Sequence, residues 1–199
     1  MMKNLFQILC GLFLVVSYSS CMHSEEDKVD VLIIGGGASG VTSGIQSARM
    51  GANTLILEES TWLGGMLTSA GVSAVDGNYR LPAGLWGEFK NRLSDYYGGL
   101  DSLKTGWVSN VLFEPSVGNK ILHEMVAAEN NLKVWKQACL EEVKRTGDEW
   151  VAKVKVEGQG VKTVRAKVMI DATELGDVAK MCGVKYDIGM ESRDDTHED

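Results

Sequence analysis

The sequence predicts an α/β fold in which a parallel sheet with flanking helices is joined to a β-meander. Three observations carry this reading. A β-branched run, a glycine-rich turn, a helix of small residues and a second apolar run follow one another within about 30 residues, as one βαβ unit requires. Two segments near the middle repeat apolar residues at helical spacing. From Leu132 onward the apolar period changes to two, with glycine turns between the runs.

Residues 29–34 (VDVLII) read as the first strand and 35–40 (GGGASG) as a turn. Residues 41–50 read as a helix of small and medium side chains that Gly51 ends. Residues 53–57 (NTLIL) read as a second strand with Glu58 at its end. A helical crossover makes the two strands parallel. Residues 62–75 contain Gly64, Gly65 and Gly71 and read as loop with short elements. Residues 84–97 place Leu85, Phe89, Leu93 and Tyr96 on one helical face, and Gly98-Gly99 stops them. Residues 107–113 read as a short strand or loop. Residues 116–129 form a second amphipathic helix through Val117, Ile121, Leu122, Met125 and Val126, with Pro115 and Ser116 as start signals. The meander is expected from strands at 132–138, 140–145, 150–157 and 161–165, turned at Gly147-Asp148 and 158–160. Residues 168–170 form a further strand leading into Asp171-Ala172-Thr173. Residues 176–182 form a short helix, and 191–199 a polar tail without a structural stop.

The chain has 199 residues, enough for one domain or one with a small addition. At 44% hydrophobic and 24% charged it matches a globular chain with a packed core. A formal net charge of −7 speaks against nucleic acid as a partner, because a nucleic-acid site needs a basic face. Gly is abundant at 23 with no collagen or linker period, so the glycines have backbone roles.

Residues 1–21 read as an export signal. Lys3 supplies a positive start, 5–16 (LFQILCGLFLVV) an apolar run, and 17–20 (SYSS) small and polar residues. The run is too short to span a bilayer, which takes about 20 residues. Cys21 follows directly, and the arrangement resembles a bacterial lipoprotein signal, in which that Cys is acylated and becomes the mature N-terminus. Tyr18 stands where such signals carry an aliphatic residue, so ordinary signal cleavage stays open as the alternative. Either route implies an exported protein, periplasmic or membrane-anchored through Cys21. Residues 22–28 (MHSEEDK) read as a solvated tether and 29–199 as the cofactor-binding domain. Of the remaining cysteines, Cys139 and Cys182 are expected as small buried hydrophobes.

Gly35, Gly37 and Gly40 form G-x-G-x-x-G between a strand and a helix, the context in which this motif cradles a dinucleotide. The first Gly permits the tight turn, the second lets the backbone approach a pyrophosphate, and the third packs the helix on the strand. Free N–H groups and the helix dipole face the phosphates. The phosphate loop is therefore Gly35, Gly36, Gly37, Ala38, Ser39 and Gly40 of a Rossmann-like unit. Glu58, 18 residues after Gly40, is placed to accept the hydroxyls of an adenosine ribose. Its charge disfavours a 2′-phosphate, hence NADP. The neighbouring Glu59 is included in the same candidate cofactor site, although strand alternation points its side chain the other way.

FAD and NAD share this unit, and further residues decide between them. Glu58, five residues, then Gly64-Gly65 resembles the extended fingerprint of FAD-binding proteins related to glutathione reductase, fumarate reductase and the amine oxidases. The resemblance implies that Gly64, Gly65 and Met66 pass close to the pyrophosphate and ribityl of FAD. It also implies that the backbone near Leu140 contacts adenine. Residues 167–177 (KVMIDATELGD) resemble the same families' strand ending in A-T-G with a downstream G-D, whose Asp binds the ribityl chain. Ala172, Thr173 and Asp177 match, and Glu174 replaces the Gly. Asp177 reads equally well as a helix N-cap. The stretches WLGGMLTSAGV and DATELGDVAK resemble bacterial FAD-dependent oxidoreductases with a signal or lipoprotein leader. These are generally longer and carry a substrate-binding region after the G-D motif.

The resemblance implies a flavoprotein oxidoreductase in which FAD accepts hydride or electrons from a small-molecule substrate. Two alternatives accompany it. One is a truncated, catalytically incomplete FAD-binding fragment or half of a split enzyme. The other is an NAD-linked dehydrogenase, weakened by Gly64-Gly65, the meander and Asp177. No metal site is expected, because Ala127 stands where H-E-x-x-H would need its second His. Ser39 does not sit in G-x-S-x-G, no Lys-Ser/Thr follows the glycine loop, and Cys139 and Cys182 lack C-x-x-C spacing. His123 reads as a helix-surface residue, and the five Trp residues as packing groups. No residue is nominated as a catalytic base.

Overall fold

The computed structural model describes residues 26–104 and 109–197. Within them, β1 (Glu26–Ile34), β2 (Thr54–Glu58), β3 (Leu132–Lys136), β4 (Ala138–Thr146), β5 (Glu149–Val156) and β6 (Gly160–Asp171) form one mixed sheet. Its strand order is β3-β2-β1-β6-β5-β4. β1 runs parallel to β2 and β6, and β2 parallel to β3. β4, β5 and the first half of β6 form the antiparallel meander. The helices are α1 (Ala38–Arg49), α2 (Gly84–Tyr97), α3 (Pro115–Ala127), α4 (Asp177–Met181) and α5 (Arg193–Thr196). Among the described residues no helix is long and apolar enough to cross a membrane. The leader, Cys21 and residues 22–25 of the expected tether lie outside the described residues.

The apolar run of β1 is continuous because both faces of the strand are covered. Ile33 faces the helices and packs with Val41, Ile45, Phe89, Leu93, Leu122 and Met125. Leu32 and Ile34 face the other way and pack with Leu55, Leu57, Leu140, Ala152 and Val154. The meander thus covers the face opposite the helices. The α1 helix sits close on β2 through Gly44, where a Cβ would lie 2.5 Å from Ile56 Cδ1.

The structure departs from the sequence reading at several elements. β1 begins at Glu26, so 26–28 are strand rather than tether. They pair with Thr163–Arg165, and Arg165 donates to Glu26 at 2.8 Å. Charged residues on an open strand carry no apolar alternation, so the pattern concealed them. The segment expected as the first meander strand, 132–138, is split. Gln137 has φ 53, and β3 before it joins β2 in the parallel half. The expected strands 161–165 and 168–170 are one strand, β6, which serves both halves of the sheet. Cys139 and Cys182 are exposed rather than buried. In β4 the alternation turns Ala138 and Leu140 inward and leaves Cys139 outside. Residues 107–108 of the expected 107–113 element lie outside the described residues, and Leu112 bridges Ala74. The tail carries the short α5, capped by Ser192.

Candidate cofactor-binding site

The C-terminal ends of β1, β2 and β6 open into a cleft of about 430 Å³. Clefts at this end of parallel strands are the usual ligand sites of open α/β sheets. The turn after β1 is built from close backbone contacts. Gly35 has φ 101, and a Cβ there would lie 2.4 Å from the Ala172 carbonyl oxygen. A Cβ at Gly40 would lie 1.9 Å from the Gly35 carbonyl oxygen, so the helix cannot close on the turn with a larger residue. A Cβ at Gly37 would meet nothing within 4 Å, which leaves that backbone open to the cleft. Gly37 is the N-cap of α1 and no side chain caps the helix. The N–H groups of Ala38, Ser39 and Gly40 therefore have no partner within the helix.

Glu58 ends β2. Its Oε2 accepts from the Gly36 N–H at 2.7 Å and its Oε1 from the Ser60 N–H at 2.7 Å. A carboxylate has about four acceptor positions, so each oxygen keeps one for a ligand. Glu59 also lines the cleft, contrary to the expectation that it would point away. It accepts from the Cys139 thiol at 3.3 Å. Partial burial, followed by Glu59, pushes that thiol above its ordinary pKa.

The Gly64-Gly65 segment is held against the glycine turn. Gly64 N–H donates to Gly36 O at 2.8 Å, and Gly64 bridges Gly37. Gly64 has φ 108, and Leu122 and Thr68 leave no room for a Cβ. Asn119 on α3 accepts from the Leu63 N–H at 2.9 Å, and the buried Thr68 hydroxyl donates to Leu63 O at 2.6 Å. Helix α3 thus positions a loop that lies more than 50 residues before it.

The third wall is residues 171–177. Asp171 Oδ1 accepts from the Thr173 N–H and hydroxyl, and Oδ2 accepts from the Ala179 N–H. Partial burial works to raise the Asp171 pKa. The hydrogen bonds from Thr173, Ala179 and Val178 outweigh it and hold the carboxyl below its ordinary value. Asp177 is the first residue of α4 rather than its N-cap, which is Gly176 with φ 70. The Asp177 N–H donates to Thr173 Oγ1 at 2.9 Å.

Of the residues expected from sequence, Gly35, Gly37, Glu58, Glu59, Gly65, Met66, Leu140, Ala172, Thr173 and Asp177 line the cleft. Gly36, Gly40 and Gly64 lie behind it and shape the wall. Ala38 and Ser39 sit exposed in the first turn of α1. Sequence reasoning missed Asp171 as the hub of the third wall, Asn119 as the support of the glycine loop, and Ser69 and Ala70 as lining residues. For Asp171 the signal was there, since Asp-x-Thr is a side-chain-to-backbone turn. A second, open cleft of about 500 Å³ adjoins through Glu59 and holds Gln137, Cys139 and Lys155. His123 is half-buried on α3, and burial lowers its pKa. No His, Cys, Asp and Glu cluster able to hold a metal ion occurs among the described residues.

A family model described as FAD dependent oxidoreductase matches residues 30–199. The chain belongs to the FAD-dependent oxidoreductase family. FAD is the cofactor of that family, and the cradle fits it: backbone amides at the α1 N-terminus, glycines without room for a Cβ, and an acceptor pair at Glu58. Among solved structures, the chain is similar in fold to a flavoprotein/dehydrogenase from Cytophaga hutchinsonii. That match has TM-score 0.61 and 19% identity over 83% of this chain and 44% of the other. It is also similar to p-nitrophenol 4-monooxygenase from Pseudomonas putida, with TM-score 0.53 and 16% identity over 81% and 45%. A geranylgeranyl bacteriochlorophyll reductase-like protein from Thermoplasma acidophilum matches with TM-score 0.53 and 20% identity over 80% and 43%. The chain spans less than half the length of these structures. No curated protein matches it.

Proposed function

We propose that this chain binds FAD along the cleft and that the bound flavin accepts hydride or electrons from a small-molecule substrate. One observation supports this most. Four segments far apart in sequence, at 35–40, 58–59, 64–66 and 172–177, line or frame one cleft at the C-terminal ends of parallel strands. When bound, FAD supplies the electron-accepting ring, and the protein supplies binding and orientation. The amides of Ala38, Ser39 and Gly40 would hold the pyrophosphate. Glu58 would accept from the ribose hydroxyls, Leu140 would border the adenine, and Asp177 would face the ribityl chain.

The test is direct. The purified chain titrated with FAD should quench flavin fluorescence saturably and carry flavin absorbance through gel filtration. NAD should not compete at comparable concentration. A chain that stays colourless with excess FAD would overturn the reading.

The export leader and acylated Cys21 extend the proposal to a membrane-anchored lipoprotein. Expressed with its leader in a bacterium, the protein should fractionate with membranes and take up labelled fatty acid, and Cys21→Ser should abolish the labelling. Unlabelled protein in the soluble periplasmic fraction would point to ordinary signal cleavage instead.

A further inference from the structure

The cleft has a charge pattern that its glycine cradle does not explain. Glu58, Glu59, Glu174 and Asp177 line it, and no Lys, Arg or His does among the described residues. Glu58 is held by two backbone N–H groups and Glu59 accepts from Cys139. Asp177 and Glu174 differ, because neither carboxylate has a hydrogen-bond or ion-pair partner among the described residues, and of the two it is Glu174 that sits against the glycine turn. Its place is specific. Glu174 Oε1 lies 3.4 Å from where a Gly65 Cβ would stand, and that point is 3.1 Å from Gly37 Cα. Only Gly65 separates this carboxylate from the N-cap of α1. A pyrophosphate on the amides that follow Gly37 would carry two negative charges close to a third, with no side-chain cation among the described lining residues to offset them. Glu174 is exposed, and like charges brought together oppose binding even through water.

We propose that Glu174 sets the affinity and charge selectivity of the cofactor cleft by opposing the phosphates. The inference rests on the FAD-binding reading and deepens it. The backbone amides attract the pyrophosphate and the Glu174 carboxylate repels it. Binding is therefore weaker than the amides alone would allow, and it strengthens as salt screens the repulsion. That sign is opposite to a phosphate site built on Lys or Arg, where salt weakens binding. A further phosphate on a competing nucleotide adds to the same penalty, so the cleft disfavours dinucleotides that carry more phosphate groups than FAD.

The experiment measures the FAD dissociation constant by flavin fluorescence for wild type, Glu174→Gln, Glu174→Gly and Asp148→Asn, at low and at high NaCl. Asp148 lies in the β4–β5 turn at the far end of the meander and controls for loss of one charge. At low salt the Gln and Gly variants should bind FAD about three- to tenfold tighter than wild type. The gap should close at high salt, and Asp148→Asn should match wild type. Saturable binding by wild type with no tightening in either Glu174 variant overturns this inference and leaves the FAD reading standing. Tightening of the same size in Asp148→Asn also overturns it, by showing a net-charge effect. No binding by any of the four proteins overturns both.

Discussion

The Gly36 N–H donates to Glu58 Oε2 at 2.7 Å, across 22 residues of sequence. This bond joins the phosphate turn to the acid at the end of the neighbouring strand. It orients the carboxylate before any ribose arrives, and it satisfies an N–H on a buried residue that could not reach water. Gly36 admits no side chain for the same reason, since a Cβ would lie 2.7 Å from that oxygen.

Glu58→Ala should therefore act on the turn as well as on the ligand. An unpaired buried N–H costs about 1–3 kcal/mol. FAD affinity should fall at least about tenfold, with a lower Tm for the free protein. Fluorescence titration and thermal unfolding of the same preparation separate the two effects. Unchanged affinity would show that Glu58 serves only the turn.

Gly40→Ala should be among the more damaging single-methyl additions in the chain. The new Cβ would meet a backbone carbonyl at 1.9 Å, and backbone cannot swing aside as a flexible side chain can. A loss of about 3 kcal/mol is expected, together with loss of FAD binding. Gly77→Ala meets nothing within 4 Å and should stay within about 0.5 kcal/mol of wild type. Denaturant midpoints of the two variants check the contrast.

Asp171 links stability to pH. Its folded pKa lies below the unfolded value, so its contribution is fully present above the unfolded carboxylate pKa and is lost as pH falls through the folded one. Asp171→Asn should flatten the acid limb of the stability profile and loosen α4. Because the group is partly solvated, the loss at neutral pH should be about 1 kcal/mol. Thermal unfolding of both proteins across the acidic range measures it, and superimposable profiles would refute the assignment.

Cys139 should react slowly with a thiol reagent at neutral pH, although it is exposed. Burial and the Glu59 carboxylate raise its pKa, so little thiolate is present, and reactivity should climb on the alkaline side of the ordinary thiol range. Glu59→Gln removes the negative charge 3.3 Å from the thiol and should speed the reaction at neutral pH. A rate unaffected by that substitution would remove Glu59 from the account.

Much of the cofactor cleft could be read from sequence because its parts are local. Glycines at 35, 37 and 40 must follow a strand and open a helix, and Glu58 must end the next strand. These are relations within one βαβ unit, set by backbone sterics and side-chain period. The two amphipathic helices and the turn glycines are local in the same sense.

Tertiary structure alone decided which strand meets which. Alternation assigns a residue to a face and not to a partner. The period-two run at 132–136 could therefore not announce that it pairs with β2, nor could 26–28 announce that they pair with β6. The same holds for the meander lying over Leu32 and Leu55, for Cys139 facing outward, and for Asn119 supporting the glycine loop. Glu174 is the sharpest case. In sequence it is one acid in a polar turn. Only the packing of that turn against Gly65 places its charge beside the amides meant for a phosphate.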